Sequence, residues 1–343
     1  MHVVVTGGGG FLGSHLCEAL LARGDSVTCL DDFSTGSPDN IAHLYSRERF
    51  AFRLTDVSAG IDMAGPVDAV DAVVHLASPA SPADYYRLPL ETLAVGSRGT
   101  EHALELAQRH GARFVLASTS EVYGDPHVHP QPEDYLGNVN PVGPRSVYDE
   151  AKRYAEALSC AYARTHGANV GIIRIFNTYG PRLRPHDGRV VSSFIRQALA
   201  GEPLTLYGSG DQTRSFCYVD DLVRGIVAMI DSRELGPINL GNPDERSIAQ
   251  LAGLVLEITG SDSGTEFLPL PADDPVRRCP VIIRATERLG WKPEISLEDG
   301  VQRTVAWFRS QTRVTPPREA PSAERANDST SAVQGRPHPL ETG

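Results

Sequence analysis

In the stretch "SVYDEAKRYAEAL", Tyr148 and Lys152 stand four residues apart near the start of a helical pattern, which puts both side chains on one face of a helix. A phenol with a pKa of about 10 is a weak base, but a nearby ammonium and a bound cation both favour its phenolate. Such a tyrosine can take the proton of an alcohol as hydride leaves the carbinol carbon. A second polar group lies upstream, where the apolar run "RFVLA" leads into "STSEVYGDPHVHP". There Thr119, Ser120 and Glu121 end a strand that breaks at Gly124 and Pro126, so hydroxyls and a carboxylate stand where a sheet edge opens.

The N-terminus carries a matching signal. "VVVTGGGGFLGSHL" follows a first strand and opens a first helix, with glycines at 7, 10 and 13. Gly7 permits a tight turn, Gly10 lets backbone approach a pyrophosphate, Gly13 allows the helix to pack close on the sheet, and Phe11 and Leu12 sit in the helix's first turn. Asp31 ends the second strand in "CLDDFSTG". A carboxylate there accepts hydrogen bonds from a ribose diol and repels a 2′-phosphate, which favours NAD over NADP. Asp32 is the alternative acceptor, or caps the following turn. Asp56 and Val57, at the end of the third strand, are candidates to meet the adenine, and Leu76 and Ala77 close the fourth strand beside the cofactor.

Apolar runs at 2–6, 26–31, 51–57, 72–78, 113–119 and 170–176 alternate with helical patterns, including helices near 91–110 and from about 147. The runs do not alternate residue by residue, as expected for strands buried on both faces of a parallel sheet. The fold expected is α/β, a Rossmann-like doubly wound sheet over residues 1–176, with elements from about 216–242 joining it. Loops rich in Pro, Gly and Arg from 177 to 311 suggest a smaller substrate-binding domain, and 312–343, without apolar periodicity, a disordered tail. A formal charge of -11 argues against a nucleic-acid-coating surface and leaves any phosphate to a few placed arginines. Five cysteines make no CxxC pair and no finger-like spacing, so a structural metal is not expected and a reduced, cytoplasmic setting is. Cys17 and Cys160 read as core. No apolar run approaches the roughly 18 residues that span a bilayer.

Several further segments, "HLASPASP", "LASTSEVYGDP", "YDEAKR", "RIFNTYGPR", "DGRVVSSFI", "LTLYGSGDQTRSF", "NLGNP" and "DDPVRRCP", resemble the extended short-chain dehydrogenase/reductase family and, within it, the UDP-glucuronic acid decarboxylases. The resemblance covers about residues 1–310. It implies bound NAD as a recycled oxidant: C4 of UDP-glucuronate is oxidised, the β-keto acid loses carbon dioxide, and hydride returns to give UDP-xylose. Thr119 and Ser120 then meet the sugar hydroxyl or ketone, Tyr148 and Lys152 serve proton transfer, and Glu121 assists at the sugar ring by steering its distortion or by proton transfer. Arg278 faces the carboxylate or the C4 oxygen, Arg214 the diphosphate and Arg189 the nucleotide. Arg182 is divided between substrate and structure. Asn177 contacts the sugar nucleotide, and Ser81, Tyr85, Val190, Tyr207 and Gln212 complete the substrate set. Relatives pair the helices near 91–110 and 147–166 across a homodimer.

Two positions depart from that pattern: Gly96 stands where the family usually has Asn, and Val281 where it commonly has Asp. Other readings share the scaffold. A 4-epimerase lacks the "TSE" glutamate and the arginine segment; a 4,6-dehydratase carries Asp before Glu where this chain has Ser120. An oxidative decarboxylase would release the 4-keto pentose, and a non-catalytic NAD sensor would have lost Tyr148 or Lys152.

Overall fold

The computed structural model describes residues 1–63, 69–269 and 277–314. Six strands, β1 (His2–Thr6), β2 (Ser26–Asp31), β3 (Phe50–Leu54), β4 (Ala72–His75), β5 (Arg113–Thr119) and β6 (Val170–Ile175), join Ile238–Leu240 in one parallel sheet. The order is Ile238–Leu240, β6, β5, β4, β1, β2, β3. Successive side chains of a strand point to opposite faces. Val3 and Val5 therefore bury against Leu16 and Leu20 of the first helix (Phe11–Arg23), while Val4 packs on the other side with Val73, Ala103 and Leu104. Burial on both faces is why these runs are continuously apolar.

Strand order turns back at β1, which has β2 on one side and β4 on the other. The crevice at such a switch point, outside the carboxyl ends of the strands, is the usual ligand site of an open parallel sheet. From residue 177 the chain builds short ladders that lean over this crevice. Thr213–Ser215 lies antiparallel to Glu245–Ser247 and parallel to Arg277–Arg278, and Leu204–Tyr207 pairs with Thr265–Leu268. The helix Val219–Asp231 and the strand Ile238–Leu240 then return to the main sheet.

The structure moves several expected boundaries. β3 stops at Leu54 and β4 at His75, so Asp56, Val57, Leu76 and Ala77 lie in the turns beyond the strands. The helix expected near 91–110 is three consecutive pieces, Pro89–Ala94, a wider π turn at Val95–Gly99, and Thr100–His110. Within the π turn the backbone lies close to the facing helix Ser146–His166: a Cβ at Gly96 would come within 2.6 Å of the Cβ of Ala151. A helix Pro82–Arg87, capped by the Ser81 hydroxyl on the Asp84 N–H at 3.2 Å, was not apparent from periodicity because it is too short. The final helix runs Leu297–Val314, past the expected start of the tail; residues 315–343 lie outside the described residues, as do 273–276 of the arginine segment. All five cysteines are free thiols; Cys160 is half-buried and the other four are buried.

Candidate active site

A cavity of about 770 Å³ lies over the carboxyl ends of β1, β4, β5 and β6, and every residue singled out above for cofactor or substrate contributes to its wall. At the cofactor end, Gly7 turns with φ +72 and donates its N–H to the Leu30 carbonyl at 2.7 Å; a side chain there would sit 2.7 Å from the Ala77 nitrogen. A Cβ at Gly13 would collide with the Gly7 carbonyl and lie 2.6 Å from the Gly8 Cα. No side chain caps the helix that starts at Phe11, so its first N–H groups remain available to an anion. Leu76 and Ala77 are held by Thr6, through its carbonyl at 3.1 Å and its hydroxyl at 3.4 Å.

The two aspartates after β2 differ in their surroundings. Asp31 is buried and accepts the N–H groups of Gly9 at 2.8 Å and Phe33 at 2.7 Å, while burial pushes its pKa up. It ties the end of β2 to the glycine loop and keeps lone pairs for a diol. Asp32 is exposed and accepts the Ser34 N–H at 2.9 Å. Asp56 closes its own turn by accepting from the Ser58 N–H and hydroxyl at 2.8 and 2.7 Å, with Val57 buried beside it.

Tyr148 is buried and stacks on Tyr85 with ring centroids 5.3 Å apart and planes at 9°. Lys152 lies with its Nζ 5.8 Å from the Tyr148 ring centre and donates to the Ala117 carbonyl at 2.9 Å. Burial lowers Lys152 to about 8. Burial raises Tyr148 to about 12, opposed by a hydrogen bond with Thr119 and the charge of Arg189. The buried phenol is therefore protonated at neutral pH in this arrangement. His75, between the hydroxyls of Thr6 at 2.8 Å and Thr100 at 3.2 Å, is held neutral by burial and by Lys152, at about 3. It adds no competing charge.

Glu121 occupies the centre of the sugar end. Its Oε1 accepts from Arg278 at 2.5 Å and its Oε2 from Arg145 at 2.6 Å. Burial alone would raise its pKa, but the two guanidiniums, Arg278 first, hold it at about 2. It is ionised at neutral pH, which favours a role in orienting charge over one in giving up a proton. Arg278 is buried, donates also to the Ser120 hydroxyl at 3.2 Å and the Gly124 carbonyl at 2.8 Å, and sits in register with Arg214 on the neighbouring strand. This fork is fixed without residue 281. The backbone of Val281 is pinned by the Gln131 carbonyl at 3.0 Å and the Asn239 amide at 3.1 Å.

The remaining expected residues are shared between wall and scaffold. Arg182 binds Glu18 at 2.5 Å and reaches Ser14 at 3.5 Å, both on the first helix, and Ser81 donates to Asp84 at 2.7 Å. Arg189 reaches the Ala80 carbonyl at 3.1 Å, just before the helix it opens at Val190. The Gln212 amide donates to the Tyr207 carbonyl at 2.6 Å, with Tyr207 exposed at the rim. Asn177 accepts the Cys217 N–H through its carbonyl at 2.9 Å and lines the cavity. Sequence reasoning passed over Arg145, Asp149, Asp84 and Arg184. Arg145 did leave a signal: a cation just before a helix N-terminus opposes the helix dipole and needs an anionic partner.

Residues 3–241 match the NAD dependent epimerase/dehydratase family. The chain belongs to that family. It is 50% identical over 309 residues to UDP-glucuronic acid decarboxylase 1 of Xenopus tropicalis, covering 90% of this chain and 72% of that protein. It is likewise 50% identical over 311 residues to UDP-glucuronic acid decarboxylase 1 of Arabidopsis thaliana, at 91% and 70% coverage. Among solved structures, UDP-glucuronic acid 4-epimerase from Bacillus cereus, in complex with UDP-glucuronic acid and NAD, superposes with a TM-score of 0.83 at 30% identity, covering 91% of this chain and 100% of that one. A dTDP-glucose 4,6-dehydratase from Streptomyces venezuelae, solved with NAD, gives 0.82 at 30% identity, with 91% and 98% covered. The glycine cradle, the uncapped helix start and Asp31 fit the family's NAD.

Proposed function

We propose that the protein converts UDP-glucuronate to UDP-xylose and carbon dioxide, with NAD retained between oxidation and reduction. The observation that carries this reading is the buried Arg278, held by Glu121, Ser120 and Gly124 over the wall that presents Tyr148. A fixed guanidinium there suits a sugar that carries a carboxylate. The half-identical relatives named as decarboxylases point the same way.

When bound, NAD supplies a reversible hydride acceptor for C4 of the sugar. Tyr148, hydrogen-bonded to Thr119, takes the C4 hydroxyl proton and later returns it, so one residue serves both directions. Lys152, buried behind the ring, favours the phenolate. With C4 a carbonyl the substrate is a β-keto acid: its carboxylate leaves as carbon dioxide, the electron pair of the broken bond passes into a C4–C5 enolate, and C5 takes a proton from solvent before hydride returns to C4. Arg278 orients that carboxylate and Ser120 the neighbouring oxygen. Arg214 and Arg189 hold the diphosphate and nucleotide. The reading includes a cytoplasmic homodimer, supported by five free thiols and by the resemblance, in which relatives pair the helices near 91–110 and 147–166. No helix among the described residues is long and apolar enough to cross a membrane.

The test is UDP-glucuronate deuterated at C4, with products read by mass and NMR. UDP-xylose keeping deuterium at C4, without stoichiometric NADH in solution, is the expected result. Label in a six-carbon product would assign the chain to 4-epimerisation, and label in free NADH to release of a 4-keto pentose.

A further inference from the structure

The cofactor end of the cavity is bordered by the start of the first helix and by the loop after β2, and two segments anchored there meet across it. Residues 181–189 are fastened to the first helix: Arg182 donates to Glu18 at 2.5 Å, and His15 donates through Nε2 to the Pro181 carbonyl at 3.0 Å. The helix Pro82–Arg87 is fastened to the loop after β2, where Arg87 donates to the Ser34 carbonyl at 3.4 Å. Arg184 crosses from the first segment to the second and donates to Asp84. Arg189 makes another crossing, to the Ala80 carbonyl at 3.1 Å, but that acceptor is neutral. Asp84 is buried, and against that burial the Ser81 hydroxyl at 2.7 Å, Arg184, and Arg87 at 3.3 Å hold its carboxyl below the usual range. Arg184 is 38% exposed and has a second carboxylate, Asp187, 3.8 Å away on its own segment. The guanidinium therefore stands between a carboxylate on the far wall and one on its own, and can leave the first without losing every partner.

We infer that the Arg184–Asp84 bond is a latch over the bound dinucleotide: it joins a segment seated on the first helix to one seated on the loop after β2, so NAD lying between them enters and leaves when that bond is open. The inference deepens the reading in which NAD stays on the protein between oxidation and reduction, and gives that retention a structural cause. Both are positioning residues. Because the two side chains bond to each other and not to the ligand, breaking the bond lowers the barrier to entry and to exit alike and changes affinity little.

The experiment loads the full chain with NADH, mixes it with excess NAD, and follows the loss of bound-NADH fluorescence by stopped flow, with association rate and affinity measured separately. Arg184→Gln and Asp84→Asn are each expected to speed release roughly 10-fold while affinity for NADH changes less than about 3-fold. The double variant is expected to release within about twofold of either single one, since all three lack the same bond. An unchanged release rate in Arg184→Gln overturns the inference. So does affinity lost in Arg184→Gln but kept or raised in Asp84→Asn, which would make Arg184 a direct partner of the pyrophosphate. If Asp84→Asn does not fold, the association rate of Arg184→Gln decides: a rise of similar size to that in release supports the latch, and an unchanged or lower rate overturns it. No sugar nucleotide is present in this measurement, so a chain that makes no UDP-xylose would end the decarboxylase reading while the exchange rates still test the latch.

Discussion

The two ends of the cavity recognise by different means. The dinucleotide end is built from backbone: a turn at Gly7, a helix start without a side-chain cap, close contact at Gly13, and one buried carboxylate, Asp31, tying the loop to β2. Its residues come from consecutive βα units. The sugar end is built from charged side chains supplied by distant segments, with Glu121 after β5, Arg145 before the next helix, and Arg214 and Arg278 from neighbouring strands of a small ladder. A backbone cradle suits a ligand that remains bound, since it adds little rotamer entropy to each association. A set of arginine forks suits a ligand that carries phosphates and a carboxylate. Tyr148 and Lys152 stand between the two ends.

Tyr148→Phe cuts deepest across that boundary. It deletes the proton acceptor and little volume, so turnover is expected to fall roughly 10³-fold while UDP-sugar binding stays nearly intact. Steady-state rates with a parallel titration measure the split. Near-normal turnover would remove Tyr148 from the proton path and leave the two ends joined only by packing.

Arg214→Ala is expected to weaken nucleotide-sugar binding by about 2 to 4 kcal/mol, the loss of a charge-assisted contact to a buried phosphate, with little change in NAD affinity. Unchanged sugar-nucleotide affinity in a titration would place Arg214 in the scaffold, where its backbone register with Arg278 already gives it a role.

The cofactor end was more legible in sequence than the sugar end. The glycine spacing, Asp31 and the buried strands follow local rules, since each depends on neighbours within one βα unit. Four of the six apolar runs match their strands to within one residue, while β3 and β4 end three residues before their runs do. The partners at the sugar end do not follow from spacing: Arg145 and Glu121 are 24 residues apart and Arg278 is 157 from Glu121. Arg214 and Arg278 could be marked by resemblance, but their alignment across two short strands, and the hold of Arg145 and Arg278 on Glu121, are tertiary facts. Arg182 shows the converse, a residue noticed in sequence whose hydrogen bonds go to the first helix.

Gly96 sharpens the comparison at the seam between the ends. Gly96→Ala puts a methyl within 2.6 Å of the Ala151 Cβ, on the helix that carries Tyr148 and Lys152. Overpacking of this kind is expected to destabilise by about 1 to 3 kcal/mol in a denaturant titration, and Ala151→Gly in the same chain should recover part of it. Absence of any coupling between the two substitutions would mean that the π turn yields to the methyl instead of the helix.

The smallest effect expected is a pH dependence of binding confined to the acidic ligand. Asp149 is faced by Glu121 after β5, Arg145 and Glu150 on its own helix and the turn before it, Tyr85 from the helix Pro82–Arg87, and Arg278 from the far strand. Burial and Glu121 raise it to about 7 against the opposing arginines. Below that pH it is protonated; as pH rises through 7 it ionises and adds a negative charge beside Glu121, Arg145 and Arg278. Affinity for UDP-glucuronate is therefore expected to fall by roughly 3-fold between pH 6 and 8, while that for UDP-xylose stays level. Asp149→Asn should flatten the acid's profile. The stability sign agrees: a carboxyl whose folded pKa is raised binds more protons folded than unfolded between its ordinary range and about 7, so parent stability declines over that interval and the Asn variant should not share the decline. A fall that persists in Asp149→Asn would move the dependence to Lys152, which titrates near 8 and acts on both ligands through Tyr148.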